Sequence, residues 1–314
     1  MPEFSTSLGC LDAPYEYKGG KREIFVPVGQ NQNRGDHSAD FRGGAVGTIV
    51  VAQGEEDLTE VKYELSLRAT SEGLLGAVLF DYPTQEEVSE GVKSSRFQLA
   101  TPTPLANKCI RFDVTIYLPP SVKTLHIQSH AIAQIKFDPN SNFNLNSLFV
   151  TVYRSDERNM VLPTESIHAS NLDLQLIRGW LVGDVTVVDE VSLSTQRGDA
   201  SMHVRVHPAP SSAEPPAPAK LLTSTGAGRA DVFFVNHPGL THRPIDSTHH
   251  CSMNGKGTYL TYTEAAFNGT VDLTAKSFSA TGLRNAFGGL PYVGSREGGD
   301  KMLVKSQGWV GLYF

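Results

Sequence analysis

The sequence predicts an all-β protein in which a β-solenoid of stacked rungs follows a smaller antiparallel β-sandwich-like region. Three observations lead to this fold class. Helix signals are nearly absent, apolar and polar residues alternate along many short segments, and similar segments recur after residue 120. Alternation with a period of two places one face of a strand in a core and the other face in water.

Residues 1–120 are predicted to form the sandwich-like region. Strands that alternate cleanly occur at 61–68 and 111–118, and a more apolar strand occurs at 45–51. A segment at 84–94 carries acidic residues before a lysine, which fits either a short helix or a loop. The pair Pro119-Pro120 cannot continue a central strand, because proline lacks the backbone N–H that a ladder needs. The first domain is therefore predicted to end at residue 120.

Residues 121–314 are predicted to form the β-solenoid. Alternating segments end at Gly179, Gly198 and Gly226, a repeat of roughly 17–20 residues once the proline-rich segment 208–218 is treated as a surface loop. One such unit cannot bury its aliphatic side alone, whereas stacked units bury a continuous column. An ordinary antiparallel sandwich would also give alternating strands between turns. The aromatic segment 308–314 is predicted to cap the end of the stack.

Composition argues against two classes of partner. The 314-residue chain has a net charge of -6 and a pI of about 5.9, and its lysines and arginines are scattered, so no nucleic-acid partner is predicted. No transmembrane segment is predicted either, since no apolar run reaches about 18 residues. Residues 1–4 lack the pattern of a signal peptide and resemble a remnant of cloning, so they do not indicate the native destination.

The three cysteines leave the redox state open. Cys10, Cys109 and Cys251 form no C-x-x-C pair. One disulfide with one free thiol is possible in an oxidising compartment, and three reduced thiols are equally compatible with the sequence. A single N-glycosylation sequon, Asn268-Gly269-Thr270, adds slight support for secretion.

Several segments resemble known surface proteins. The segment around 118–127 and the repeats LDLQLIRGWLVGDV (172–185) and VSLSTQRGDASMHV (191–204) resemble the putative-adhesin repeats of bacterial and fungal surface proteins. Segments 36–51, 243–245 and 266–283 are similar to uncharacterised basidiomycete proteins that are extracellular or tethered to a membrane. The resemblance implies an extracellular or cell-surface location. It offers no catalytic residues, because the shared motifs are structural.

A histidine-rich segment is the candidate metal site. Imidazoles, helped by a carboxylate or a thiolate, can bind zinc or copper. The spacing fits no standard zinc finger, adjacent histidines point to opposite faces of a strand, and a polar loop is the competing interpretation. No resident cofactor is predicted. The candidate ligands are His237, His242, His249 and His250.

The polar side of the repeats is the candidate ligand-binding surface. Arginines along a groove could hold an acidic sugar polymer, and a pair of carboxylates can hydrolyse glycosides when they lie at the right separation. A solvated outer face would have the same composition. Other aromatic residues, including Tyr259 and Trp309, could also stack against sugars. The candidate residues are Trp180, Arg178, Asp184, Asp189, Arg197 and Asp199.

These patterns favour a non-enzymatic extracellular or cell-surface protein that serves in adhesion, or that binds the cell wall or glycans. Its expected partners are a cell-wall polysaccharide or a surface glycoprotein. The sequence contains no G-x-S-x-G, H-E-x-x-H or Walker motif. The alternative is a carbohydrate-active enzyme, a polysaccharide lyase or glycoside hydrolase built on a β-helix, which would need carboxylates and a basic residue in one groove.

Overall fold

The computed structural model describes residues 1–28, 35–104, 107–211, 213–235, 242–263, 266–285 and 288–314. These residues form 21 strands and two short α-helices, together with two short 3-10 helices. The all-β prediction is confirmed. The chain divides into two compact units, Met1–Leu162 and Pro163–Phe314. The division into domains at residue 120 stays a prediction.

The first unit contains eleven strands, and the predicted alternating segments 61–68 and 111–118 lie in two strands whose burial largely alternates. The segment at 84–94 begins as a helix, in which the Thr84 hydroxyl accepts from the N–H of Glu87 and the Glu87 carboxylate accepts from the N–H of Thr84. The elements are a 3-10 helix Thr6–Leu8, β1 Tyr15–Glu16, a 3-10 helix Tyr17–Gly19, β2 Arg22–Pro27, β3 Asp36–Gly43, β4 Val46–Gln53, β5 Glu60–Ala69, α1 Glu72–Leu75, β6 Leu79–Asp81, α2 Gln85–Ser89, β7 Arg96–Thr101, β8 Ile110–Leu118, β9 Thr124–Ser129, β10 Ile132–Phe137 and β11 Phe143–Leu162.

The strands of this unit pair in both directions, so the predicted antiparallel arrangement is wrong. One run of neighbours is β6–β7–β3–β9–β11, and another is β11–β10–β4–β8–β5–β2. β5 is antiparallel to β1, β2 and β8, and β6 is antiparallel to β7, whereas the other pairings are parallel. Alternation in a sequence reports which side of a strand is buried, and it says nothing about the direction of the neighbouring strand.

Aromatic side chains fill the interior of the first unit. Tyr63 stacks on Phe97 with ring centroids 4.1 Å apart, and Phe41 stacks on Phe112 at 5.2 Å. The buried His37 lies beside them, with Nδ1 2.7 Å from the Ser95 hydroxyl and Nε2 2.5 Å from the Tyr63 hydroxyl. Burial lowers the pKa of His37 to about 3, so the imidazole is neutral in the fold.

A disulfide fastens the N-terminal segment to the start of β8. Cys10 and Cys109 are bonded, with their Cα atoms 5.9 Å apart, while Cys251 is a buried free thiol. Beside this bond, the buried Arg111 guanidinium donates to the carbonyls of Ser5 and Gly9 at 3.0 and 3.1 Å. The pairing that the sequence left open is therefore Cys10 with Cys109.

The second unit contains ten strands among its described residues. Proline-rich residues 209–211 and 213–218 form no strand and connect two of them. The elements are β12 Ile167–Val187, β13 Glu190–Thr195, β14 Ser201–Pro208, β15 Ala219–Thr225, β16 Arg229–Phe234, β17 Ile245–Cys251, β18 Thr258–Tyr262, β19 Gly269–Thr281, β20 Tyr292–Val293 and β21 Asp300–Tyr313.

Parallel pairing in this unit forms a closed ring. One ladder runs β12–β13–β15–β17–β21, and a second runs β12–β14–β16–β18–β21. The long strands β12 and β21 belong to both ladders, so eight strands close into a parallel barrel. β19 and β20 lie outside this ring, with β19 paired to β21 and β20 paired to β19.

The predicted β-solenoid is therefore wrong, and the long strands provide the physical reason. A solenoid is an open stack with two free ends, whereas here β12 and β21 join the two ladders at both ends. The repeated segments 172–176, 191–194 and 221–224 lie in the neighbouring parallel strands β12, β13 and β15. Their sequence could not show that β12 and β21 each take part in both ladders.

Gly179 allows β12 to pass from one ladder to the other. Residues Asn171–Leu176 pair with β13, and residues Trp180–Val187 pair with β14. Between them Gly179 has a φ of 131°, a conformation that L-residues with a side chain rarely adopt. The glycine that was predicted to end a repeat is thus a bend inside one long strand.

Candidate functional site

The predicted acidic and basic residues form separate ion pairs on the second unit. Asp184 accepts from Arg205 at 2.7 and 3.0 Å, and its Oδ1 is 2.9 Å from His207 Nε2. Partial burial tends to raise the pKa of Asp184, but the hydrogen bonds from Arg205 and His207 outweigh it and the pKa lies below its ordinary value. This carboxylate is therefore ionised and already satisfied at neutral pH.

The remaining predicted charges are distributed in the same way. Arg178 bonds Asp199 through two contacts of 2.7 and 2.6 Å, so the structure brings these two candidate residues together. Asp189 is 3.9 Å from Arg243, and Arg197 is exposed. Asp184 and Asp199 are therefore each bonded to an arginine, whereas the side chain of Asp189 is 64% exposed. Their role in ligand binding stays a prediction.

Trp180 lies on the outer side of β12. It is partly exposed and stands opposite Ser201 of β14, whose other neighbour in the ladder is Arg229 of β16. Register therefore places Trp180 and Arg229 in one row on the outer face of the barrel, two strands apart. A contact between Trp180 and a sugar stays a prediction.

The candidate metal ligands are dispersed. His242 Nε2 lies 2.9 Å from Asp300 Oδ2, His249 is buried with Nδ1 2.8 Å from the Thr223 hydroxyl, and His250 is exposed. His237 lies outside the described residues. Within the described ranges, no three histidine, cysteine or acidic side chains converge as metal ligands. Metal binding by this set stays a prediction.

The pKa values distinguish His242 and His249, two candidate metal ligands that have side-chain partners. The hydrogen bond that His242 donates to Asp300 raises the pKa of His242, which favours the protonated ring. Burial lowers the pKa of His249 to about 3, and its Nε2 has no hydrogen-bond partner among the described residues. His249 is thus a neutral interior group with one unsatisfied nitrogen, whereas His242 forms an ion pair with Asp300 when its ring is protonated.

The outer face of β16, β18 and β21 carries a continuous group of aromatic and charged side chains. We call this group the aromatic strip and define it as Arg229, Asp231, Tyr259, Trp309 and Tyr313. The Tyr259 and Trp309 ring centroids are 4.9 Å apart, with the planes tilted by 56°. All three aromatic residues are partly exposed. The strip therefore offers apolar ring surface to solvent.

Two glycines make room for the rings of the strip. A Cβ atom on Gly311 would lie 2.6 Å from the Trp309 indole and 2.8 Å from the Tyr313 ring, so both rings lie across this backbone position. A Cβ on Gly257, which has a φ of 93°, would be 3.1 Å from the same indole. The absence of side chains at these two positions lets the aromatic rings approach the sheet closely.

An ion pair borders the rings. The Arg229 guanidinium lies 4.4 Å from the centroid of Tyr259 and forms two hydrogen bonds of 2.7 and 2.9 Å with Asp231. His203 Nδ1 is 3.6 Å from the same carboxylate, and its ring contacts Phe233 edge-on. Aromatic faces beside polar groups held in fixed orientation are the combination that binds sugars, whose rings have apolar faces and polar rims.

The sequence identified part of this strip. Tyr259 and Trp309 were candidates because of their residue type, but Arg229 and Asp231 were missed. Both are charged residues that alternate in the sequence with the apolar Ala230 and Val232, although in the structure Arg229 is exposed and Asp231 is buried. The period-two alternation could have placed them on the outer face. Only the parallel register of β16 with β18 brings them beside Tyr259.

A polar cleft lies on the first unit, on the outer side of β4, β5 and β8. Its volume is about 630 Å³, and Glu64 and Asp113 both line it. The hydrogen bond from Lys21 lowers the pKa of Glu64. Partial burial tends to raise the pKa of Asp113, but hydrogen bonds from Arg111 and Thr48 outweigh it and lower the pKa. Glycoside hydrolysis by an acid pair uses a general acid with a raised pKa, which neither carboxyl provides.

The chain matches no known protein-family model and no curated protein. Solved bacterial structures do resemble it. A putative adhesin from Bacteroides fragilis shares 11% identity over 93% of this chain and 95% of its own, with a TM-score of 0.48. A putative adhesin from Parabacteroides distasonis shares 11% identity over 94% and 98% of the two chains, with a TM-score of 0.42.

A third structure, described as a putative lipid binding protein from Parabacteroides distasonis, shares 9% identity over 95% of this chain and 98% of its own, with a TM-score of 0.41. Likenesses at this level carry no inference about function. The similarity to basidiomycete proteins stays a prediction. Among the described residues, no helix is both long enough and apolar enough to cross a membrane.

Proposed function

We propose that this protein is a non-enzymatic glycan-binding protein of the extracellular space or the cell surface. Its partner would be a cell-wall polysaccharide or the glycan of a surface glycoprotein. The observation that carries the proposal is the aromatic strip, in which Tyr259 and Trp309 lie 4.9 Å apart beside the Arg229–Asp231 ion pair.

The chemistry of the strip suits a sugar. Ring faces of Trp309 and Tyr313 can stack on the apolar face of a pyranose, while the exposed Arg229 can donate hydrogen bonds to its hydroxyls. The mutual ion pair fixes the orientation of both polar groups before a ligand arrives, and preorganisation reduces the entropy lost on binding.

The extracellular location rests on a different observation. The bond between Cys10 and Cys109 joins residues 99 positions apart. Disulfides of this structural kind form in oxidising compartments and are rare in the cytosol. Resemblance of segments 172–185 and 191–204 to adhesin repeats supports the same location.

The competing function is a carbohydrate-active enzyme. It would place its acid pair in the first-unit cleft, where Glu64 and Asp113 lie on one polar surface. Both pKa values are lowered, so both groups are ionised at neutral pH and neither can donate a proton as a general acid. This is why we favour binding without turnover.

An array of neutral and acidic oligosaccharides tests the proposal, followed by calorimetry with the oligosaccharide that gives the strongest signal. We expect Trp309→Ala and Tyr259→Ala each to weaken binding at least about tenfold, which is about 1.4 kcal/mol. Tyr153→Ala is the matched control, because this tyrosine is 44% exposed on the first unit and stacks on His130 at 4.5 Å.

The outcomes separate the two functions. Binding that depends on Trp309 and Tyr259 but not on Tyr153, with no new reducing ends and no unsaturated uronate in the same mixtures, supports the proposal. Formation of either product would favour the enzyme. A wild-type protein that binds no oligosaccharide, or equal losses in all three variants, would refute the role of the strip.

A further inference from the structure

We infer that Asn268 is a site of N-linked glycosylation, where an oligosaccharide is attached to the side-chain amide nitrogen, Nδ2. This inference is independent of the aromatic strip. Asn268 belongs to the sequon Asn268-Gly269-Thr270, and in the structure it is an exposed residue directly before β19. Such sequons are acceptors when they lie at the surface of a protein of the secretory pathway.

The side chain of Asn268 is oriented by one hydrogen bond. Its Oδ1 accepts from the backbone N–H of Ser295 at 2.7 Å. An amide has one oxygen and one nitrogen, so the hydrogen bond that holds Oδ1 at Ser295 fixes the direction of Nδ2 as well. Within the described chain Nδ2 forms no hydrogen bond, and the atom that would receive the sugar is left available on an exposed residue.

The backbone of Asn268 is held independently of its side chain. Its N–H donates to Asp300 Oδ2 at 2.5 Å, and its carbonyl accepts from the N–H of Asp300 at 3.1 Å. Asp300 is fully buried and its other oxygen accepts from the N–H of Ile245 at 2.7 Å. The acceptor residue is therefore displayed on a rigid support, and modification of Nδ2 would break none of these bonds.

The other two residues of the sequon are needed for different reasons: the fold requires Gly269, and the glycosylation reaction requires Thr270. Gly269 is demanded by the fold, because a Cβ there would lie 1.9 Å from the carbonyl oxygen of Asp300. Thr270 has no such constraint: it is partly exposed, and its hydroxyl forms no hydrogen bond within the described residues. The hydroxyl at this position is what the transfer reaction requires of a sequon.

The transfer is chemically complete with one co-reactant, an oligosaccharide joined to a lipid through a diphosphate. Asn268 Nδ2 attacks the anomeric carbon of the first sugar, and a C–N bond forms as the bond from that carbon to the diphosphate oxygen breaks. The lipid diphosphate leaves with the electron pair, and Nδ2 loses one proton. The disulfide between Cys10 and Cys109 is consistent with passage through the oxidising compartment in which this transfer takes place.

The test is to produce the full chain behind a cleavable secretion signal in eukaryotic cells and to digest it with peptide N-glycosidase in ¹⁸O-labelled water. Enzymatic release of the glycan converts the asparagine into an aspartate that carries the label. We expect the mass of the intact protein to fall and the label to appear at Asn268, the only sequon in the sequence. An unlabelled Asn268 and a mass unchanged by digestion would overturn the inference.

Three variants distinguish glycosylation from a structural role of the loop. Asn268→Asp retains an oxygen that can accept from Ser295 N–H but lacks Nδ2, so it should fold and carry no glycan. Thr270→Ser retains the hydroxyl and should stay glycosylated, while Thr270→Val should not. A digestion-sensitive mass that persists in Asn268→Asp, or that is retained in Thr270→Val, would contradict the assignment of this site.

Discussion

His249 makes the free energy of unfolding of the second unit depend on pH. The side chain is 1% exposed, and burial lowers its pKa to about 3. In the unfolded chain the pKa of a histidine is about 6.5. Below pH 6.5 the unfolded state therefore binds a proton that the folded state does not bind, and acid favours unfolding. The stability that depends on a neutral His249 is fully present above pH 6.5 and is lost as the pH falls from 6.5 towards 3.

The size of the effect follows from the difference between the two pKa values. Each pH unit between about 3 and 6.5 corresponds to about 1.36 kcal/mol for one such group. We therefore expect the single histidine to reduce the free energy of unfolding by about 2 kcal/mol between pH 7 and pH 5. This is a large part of the stability of an ordinary domain, which is about 5–15 kcal/mol.

The double variant Thr223→Val/His249→Leu isolates this contribution. It removes the imidazole together with its hydrogen-bond partner, which lies 2.8 Å away, so that no donor or acceptor of this pair is left unsatisfied. At pH 7 we expect a free energy of unfolding within about 1 kcal/mol of wild type or above it, because the unpaired Nε2 is also removed. From pH 7 to pH 5 the variant should lose about 2 kcal/mol less than wild type.

Urea unfolding followed by tryptophan fluorescence measures this difference directly. The chain has two tryptophans, Trp180 and Trp309, and both belong to the second unit, so the signal reports on the unit that contains His249. The raised pKa of His242 changes the free energy of unfolding with pH in the opposite direction. His242 is present in both proteins, so its effect cancels when the two are compared. His250→Gln controls for the loss of an exposed histidine from the same strand. Equal losses between pH 7 and pH 5 in wild type and the double variant would refute the reasoning.

Three further predictions concern single features of the fold. His242→Gln should destabilise the protein more at pH 6 than at pH 8 in the same urea assay, because a raised pKa gives stability that is lost as the pH rises through its folded value. Replacing Cys10 and Cys109 by serine should destabilise the first unit by about 2–5 kcal/mol, measured by near-ultraviolet circular dichroism of its tyrosines during urea unfolding. Gly43→Ala should lower the free energy of unfolding in the same assay by more than about 2 kcal/mol, because its Cβ would lie 1.9 Å from a backbone carbonyl. Gly73→Ala, with open space around the added Cβ, should have little effect.

The sequence predicted which side of each strand is buried far better than it predicted which strands are neighbours. β5 alternates through all ten of its residues, and its burial alternates without a break. The same alternation would suit a parallel or an antiparallel partner. The ring in the second unit forms because β12 and β21 each pair with strands of both ladders. For β12 this double pairing depends on the length of the strand and on the bend at Gly179, which the repeated segments of the sequence do not reveal.

The sequence predicted only part of the candidate site, because a sequence shows the type of each residue and does not show which residues lie next to each other in space. Arg178 and Asp199 were both identified as charges on the outer face, but the sequence could not show that they neutralise each other. Conversely, Arg229 and Asp231 become interesting only because the register of β16 and β18 brings them to Tyr259. The cysteine pairing had the same limitation, since it depends on the proximity of residues 99 positions apart.

The position of β21 sets the order in which the second unit can be completed during synthesis. On a ribosome β12 to β18 emerge first, and until residues 300–313 follow, both β17 and β18 present backbone N–H and C=O groups without their final neighbour. A nascent chain halted before that point would expose two adhesive strand edges. The same strand that seals the ring also carries Trp309, so the binding surface we propose could come into existence only with the last step of folding.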